Sequence, residues 1–405
     1  MSVSVAAPNN RSAIKIAPAS QSVCSSACPP RLAIYLHDLS GGGVERQSLV
    51  IAEELRRRGA DVTLVLHSLR GPLLDQIPAG LPVVDLKSGR TIDDIPRLAE
   101  FLRREKPDIL LANFDFNNIA ALLAKAIALS PTKVVICQHN LVFDAFLNSQ
   151  RRLYRYVGLG YRALAPLMSK AIAVSAGLAN DLHRRAGISS RRIVTINNPV
   201  IGPDFAQRAE EPVEHPWLHD PHHPVFVTAG RMVPQKDHPT LLRALALHRR
   251  TMGGRLLFLG VGPLEPEMKA LVAELGIEDA VDFLGFRSDA PAWFRQADAF
   301  VLSSRSEGFG NVLVEAMGCG TPVISTDCPC GPRDILDNGR YGLLVPPGDP
   351  EAMARAMNEV GTLRARFPAD LLRQRSGAYT YEACAAQYAA VFETLAPQRA
   401  WVARA

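Results

Sequence analysis

Short apolar runs alternate with helical patterns along almost the whole chain. Residues 32–36 (LAIYL), 62–66 (VTLVL), 109–112 (ILLA), 134–137 (VVIC) and 171–174 (AIAV) carry at most a single Thr among apolar side chains. Runs of this kind suit strands buried on both faces of a sheet. Between them lie helical patterns. Over 94–105, Ile95, Leu98, Ala99 and Leu102 follow the i, i+3, i+4, i+7 spacing of one buried stripe. A second helix is expected over 44–58, stopped by Gly59, which accepts the backbone of a helix end. Strand–helix alternation implies a parallel α/β sheet.

The alternation pauses at 200–223, where Pro203, Pro212, Pro216, Pro221 and a cluster of His break it, just after Pro199. It resumes with 225–229 (VFVTA), 256–259 (LLFL), 281–284 (VDFL), 300–303 (FVLS) and 323–325 (VIS). The expected fold is therefore α/β, two facing Rossmann-like domains with an interdomain cleft. The expected boundaries are a disordered tail over 1–30, a first domain over 31–199, a linker over 200–223 and a second domain over 224–380. Residues 381–405 form a C-terminal helix expected to pack back on the first domain. Ligands on such sheets bind beyond the carboxyl ends of the strands, so the facing ends define the cleft.

Composition agrees with this size. At 405 residues, 47% hydrophobic and 21% charged, the chain has material for two ordinary cores. No apolar run is long enough to span a membrane. The first thirty residues are rich in Ser, Ala, Pro and Asn without an apolar centre, which reads as a tail and not a secretory signal. Seven cysteines without scaffold spacing point to a reducing, cytoplasmic setting. Cys24 with Cys28, and Cys328 with Cys330, lack the four spaced ligands of a zinc site. Charge is uneven: 23 Lys and Arg stand against 15 Asp and Glu over residues 31–200, and 20 against 25 over 201–405. The basic first half suits an anionic partner such as a membrane surface, contacted peripherally. No basic motif interleaved with aromatics supports nucleic acid.

Five segments carry candidate chemistry. Ser40-Gly41-Gly42-Gly43 follows the first strand and opens a helix, where glycines let backbone approach an anion; a plain tight turn reads equally well. Gly230-Arg231-Met232-Val233-Pro234-Gln235-Lys236-Asp237 puts two cations at the carboxyl end of a strand, suited to a diphosphate or simply solvated. Ser304 to Gly318 holds Glu307 in a loop and Glu315 on the helix after it, with Gly308 and Gly310 between them. A loop carboxylate can accept sugar hydroxyls and a helix carboxylate a ribose diol. Gln138-His139-Asn140 ends another strand and turns His139 toward the cleft, although a lone His is more often structural. Finally, Arg151, Arg155 and Arg162 fall on one side of a helical projection of 151–170, opposite Leu153, Tyr156, Val157, Leu164 and Leu167. That ridge suits anionic headgroups or an ordinary solvated face.

Together these residues resemble the retaining GT-B glycosyltransferases of family 4, or group 1, of the bacterial surface-glycan type. The resemblance covers roughly residues 31–395 and rests on Gly41-Gly42-Gly43-Val44-Glu45-Arg46, GRMVPQKD, EGFGNVLVEAMGCGTPVIST and GLLVPPGD over 342–349, in the family's order. One departure is Asp237, where the family usually has Gly after the Lys. The resemblance implies that Arg231 and Lys236 bind the donor diphosphate, Glu307 the transferred sugar and Glu315 the ribose. It further implies that Gly308, Phe309, Gly310, Asn311 and Val312 line the donor. His139 would approach the sugar from the first domain, with Gly42 and Gly43 beside the phosphates.

The implied partners are a nucleotide-diphosphate sugar, UDP-sugar favoured, and a glycan or lipid-linked acceptor; the implied activity is sugar transfer in polysaccharide or lipopolysaccharide synthesis. No cofactor and no metal are expected, since no Asp-x-Asp pair is present. No side chain stands out as a covalent nucleophile, so retention is expected through same-face attack. A non-catalytic sugar-nucleotide-binding protein or a GT-B epimerase would share the fold. A nucleotide-dependent oxidoreductase would need a dinucleotide fingerprint that the glycine turn does not match.

Overall fold

The computed structural model describes residues 28–142, 156–399 and 401. Two parallel sheets are present. The first holds β1 (Arg31–Leu36), β2 (Asp61–Leu66), β3 (Val83–Asp85), β4 (Ile109–Asn113), β5 (Lys133–Gln138), β6 (Met168–Ala173) and β7 (Ile193–Thr195). Their order is β3-β2-β1-β4-β5-β6-β7. The second holds β8 (Val225–Ala229), β9 (Arg255–Leu259), β10 (Val281–Gly285), β11 (Ala299–Leu302), β12 (Val323–Thr326) and β13 (Leu343–Val345), in the order β10-β9-β8-β11-β12-β13.

Both orders reverse once, between β1 and β4 and between β8 and β11. At such a reversal, consecutive crossovers diverge to opposite faces and leave a crevice at the strand ends. The central strands are apolar and buried throughout, as in β4 and β8, because helices cover both faces. The three strands that no apolar run announced, β3, β7 and β13, are three residues each and lie at sheet edges. A half-covered edge needs no continuous apolar run.

Helix α1 (Gly43–Arg57) ends as expected, with Gly59 at φ +89° just beyond it. Helix α2 (Thr91–Glu105) begins three residues before the predicted stripe. Helix α3 (Asp115–Ala128) follows β4.

Two expectations change. Residues 200–223 are not a plain tether: they contain the helix Phe205–Ala209 and a 3-10 turn at Pro216–His219. Phe205 and Ala209 are buried, and His215 bonds Asp282 at 3.0 Å, so much of this segment dresses the second domain. Nor is 151–170 one helix. Residues Val157–Leu164 are helical, but β6 begins at Met168 and takes in Lys170. Val157 and Tyr161 are buried while Tyr156 and Leu159 are exposed. Leu153, Arg151 and Arg155 lie outside the described residues.

The chain crosses between the sheets twice. Val200 and Ile201 donate to the Tyr379 carbonyl at 2.9 and 3.1 Å, and Tyr381 donates back to Ile201. The last long helix, Tyr381–Leu395, then packs on α1. Its Tyr388 hydroxyl lies 3.6 Å from Cys137 Sγ at the end of β5.

Candidate functional site

The second sheet supplies charge at its reversal. The loop after β8 carries Arg231 and Lys236; the loop after β11 carries Ser304 and Glu307. Because β8 and β11 are neighbours, residues far apart in sequence meet. Lys236 Nζ donates to Glu307 Oε1 at 2.6 Å, and the Ser304 hydroxyl donates to the same oxygen at 2.6 Å. Glu307 is 8% exposed, so its charge is held by those two donors more than by water. Below them, Ser303 Oγ donates to the Lys236 carbonyl at 2.8 Å and Gln235 Nε2 to the Ser306 carbonyl at 2.8 Å, tying the two loops together. Arg231 is exposed and acts across the cleft on Glu45 of α1, whose pKa burial raises and Arg231 lowers.

Asp237 explains how the chain does without the usual glycine. Its φ of +47° is left-handed, a conformation that Asp tolerates better than most residues. Its carboxylate accepts from Thr240 Oγ1 at 2.8 Å and from Arg305 Nε at 2.8 Å. The side chain thus fixes both the start of the helix His238–Met252 and the β11 loop.

Glycines of the β11 loop set how close the domains come. A Cβ at Gly308 would lie 1.9 Å from the His139 carbonyl oxygen of the first domain. Gly310, at φ +102°, opens the helix Asn311–Gly318, which no side chain among the described residues caps. Its leading N–H groups therefore remain for an anion. Asn311 accepts from Asn198 Nδ2 at 3.0 Å, and a Cβ at Gly43 would lie 3.6 Å from Asn311 Nδ2. The glycine turn after β1 and this helix start thus face each other. Gly42, the residue before α1, is covered by the Glu45 carboxylate.

Three candidates are placed differently from a simple lining. The Phe309 side chain is 2% exposed and edge-on to Tyr379 at 5.4 Å, so it serves the core and only its backbone borders the site. Glu315 lies mid-helix beside the positive fields of Arg208 and Arg46, with burial raising its pKa against them. Val312 is half-buried in the first turn of the same helix.

His139 is 9% exposed; its Nε2 lies 3.0 Å from Asn113 Oδ1, and burial lowers its pKa to about 4, so the ring is neutral. Asn113, the last residue of β4, was not foreseen, although the same carboxyl-end rule that singled out His139 applies to it. Beneath it, Asp115 accepts from Gln138 Nε2 at 2.8 Å and from Tyr161, and burial raises its pKa to about 6. A wider groove of about 450 Å³ lies along the ends of β12 and β13, lined by Asp327, Arg333, Asn338 and Leu344 to Pro347.

Among the described residues, no helix is long and apolar enough to cross a membrane. Among solved structures, HepE of Anabaena in complex with UDP and glucose superposes with a TM-score of 0.71 at 21% identity, over 90% of this chain and 99% of that one. The lipopolysaccharide outer core galactosyltransferase WaaB superposes with a TM-score of 0.72 at 21% identity, over 90% and 99%. Likenesses at this identity establish the fold, which is GT-B.

In sequence, the chain is 27% identical over 345 residues to the lipopolysaccharide core biosynthesis glycosyltransferase LpsE of Rhizobium meliloti, covering 82% of this chain and 90% of that protein. It is 26% identical over 336 residues to a Campylobacter jejuni N-acetylgalactosaminyltransferase acting on a diphospho-undecaprenol-linked saccharide, covering 78% and 86%. Residues 41–201 match the family model described as Glycosyltransferase Family 4, and residues 223–362 match that described as Glycosyl transferases group 1. With each half matched in turn, the chain belongs to the family 4, or group 1, glycosyltransferases.

Proposed function

We propose that the protein transfers a sugar from a UDP-sugar to a hydroxyl of a lipid-linked or growing surface glycan, with retention at the anomeric carbon and without a metal. The observation that carries this reading is the Lys236–Glu307 contact of 2.6 Å at the reversal of the second sheet. It joins a cation for a diphosphate to a carboxylate for sugar hydroxyls at one point of the cleft.

Lys236, Arg231 and the uncapped start of the helix Asn311–Gly318 supply the positive charge that a departing diphosphate requires. Glu307 orients the transferred sugar, and Glu315 takes the ribose. Retention proceeds by attack on the face that the leaving group vacates, with a diphosphate oxygen taking the acceptor proton. The close approach of Gly308 to His139 excludes water from this step. LpsE and the Campylobacter enzyme, by their names, build lipopolysaccharide core and a lipid-diphosphate-linked saccharide, which favours an acceptor of that class here. The basic first half suits an acceptor presented at an anionic cytoplasmic membrane face.

A thermal-shift screen of UDP-, GDP- and ADP-sugars tests the donor, since a ligand bound to the native state raises the melting temperature. Stabilisation by UDP-sugars that persists in excess chelator, followed by NMR of the product showing the donor's anomeric configuration, is the expected result. No shift with any of the three nucleotides would overturn the assignment.

A further inference from the structure

Three buried polar atoms of the first domain lack a partner among the described residues and belong to residues lining one cavity. They are His139 Nδ1, Asn113 Nδ2 and Gln47 Oε1. Their side chains are at most 9% exposed, and the cavity measures about 10 Å³, closed further by Asn198, Pro199 and Tyr388. A space of that size takes one water, provided two to four polar groups surround it.

Donors and acceptors balance with Asn113 oriented as it stands. His139 Nε2 faces Asn113 Oδ1 at 3.0 Å, and a carbonyl oxygen only accepts. The imidazole proton therefore sits on Nε2, and Nδ1 presents a lone pair. A water in the cavity then donates to His139 Nδ1 and to Gln47 Oε1 and accepts from Asn113 Nδ2. All three atoms are satisfied at once. The opposite tautomer requires Asn113 to turn its amide, so that Nδ2–H donates to Nε2 and Oδ1 enters the cavity; the amide orientation of Asn113 therefore selects the tautomer.

We infer that Asn113 and Gln47 are positioning residues, which hold His139 as the Nε2–H tautomer through a water-sized polar cavity between α1, β4 and the Asn198–Pro199 segment. The consequence lies on the other side of the ring. The His139 carbonyl abuts Gly308, so fixing the imidazole fixes the first-domain wall against which the donor loop closes. No charged side chain contributes to the depressed basicity of His139; burial alone accounts for it.

The inference rests on the proposed role of His139 beside the donor, and the test separates the two. Histidine ¹⁵N shifts distinguish the tautomers, with the His139 signal assigned by its loss in His139→Gln. Wild type is expected to show neutral, Nε2-protonated imidazole from pH 5 to pH 8. Asn113→Ala should mix the tautomers and lower kcat/KM on the order of tenfold or more through misplacement of the wall. Asn113→Asp places a carboxylate against Nε2–H and should bring imidazolium into view near pH 6. An Nδ1-protonated ring in wild type, or a tautomer ratio unmoved in Asn113→Ala, overturns the inference. If Asn113→Ala does not fold, an unmoved His139 titration in Asn113→Asp overturns it instead. A shifted tautomer with unchanged kinetics keeps the positioning and removes the donor role of His139.

Discussion

Lys236 and Glu307, 71 residues apart, share a 2.6 Å contact because the strands that precede them are neighbours at a sheet reversal. Each is largely screened from water, with side-chain exposures of 19% and 9%. Removing one partner leaves the other charge desolvated, which in buried pairs costs about 3–5 kcal/mol, whereas replacing both costs far less. Lys236→Met and Glu307→Leu singly should therefore lower stability more than the double variant does. Denaturant melts of the three proteins, set out as a double-mutant cycle, measure this. All three should lose at least about a hundredfold in turnover.

Gly308 sets the separation of the domains. With a Cβ only 1.9 Å from the His139 carbonyl, Gly308→Ala must push the β11 loop away from the first domain. Both domains should stay folded, since nothing in either core changes. Small-angle scattering should show a larger radius of gyration than wild type with donor present, and kcat should fall at least about tenfold. An unchanged kcat would mean that closure does not depend on this contact.

Asp237 fills a left-handed position with a side chain that also accepts bonds from two residues, Thr240 and Arg305. Asp237→Ala loses those bonds and keeps the strain, so a loss of about 2 kcal/mol is expected. Asp237→Gly loses the bonds but relieves the strain and should lie between Ala and wild type. Melting temperatures ranked Asp, Gly, Ala would bear this out; Ala equal to wild type would not.

His238 predicts a pH dependence whose sign can be worked out. Burial depresses its pKa to about 4, while the unfolded chain titrates near the ordinary value of about 6.5. Between those values the unfolded state binds the extra proton, so stability falls as pH drops from about 6.5 to 4. His139 acts in the same direction. Asp115, raised to about 6, acts oppositely: its contribution is present below the unfolded carboxyl range and is lost as pH rises through 6. His238→Gln removes one titrating group, and its melting temperature should vary less between pH 4 and 6.5 than that of wild type.

The sequence was most legible where burial is two-sided. Every strand announced by an apolar run is found, from LAIYL at β1 to VIS at β12, because central parallel strands meet helices on both faces. The edge strands β3, β7 and β13 escaped, being three residues each and half-covered. Lys236, Glu307, Gly308 and Asn311 could be read from motif and strand-end position alone. Asn113 and Gln47 could not be assigned a partner, because their relation to His139 depends on which strands are neighbours, β4 beside β5, and on how α1 is tilted over them. For Phe309 the motif gave the position but not the direction of the side chain, since the ring's contact with Tyr379 depends on a residue 70 positions away.

The double crossing at Ile201 and Tyr379 means that the first lobe is assembled from both ends of the polypeptide. A fragment stopping at residue 199 would leave α1 without Tyr388, Ala389 and Phe392, and would present that apolar seam to solvent. The piece that relatives can exchange intact is accordingly the internal cassette from residue 202 to residue 378, which leaves the terminal helix with its native cover.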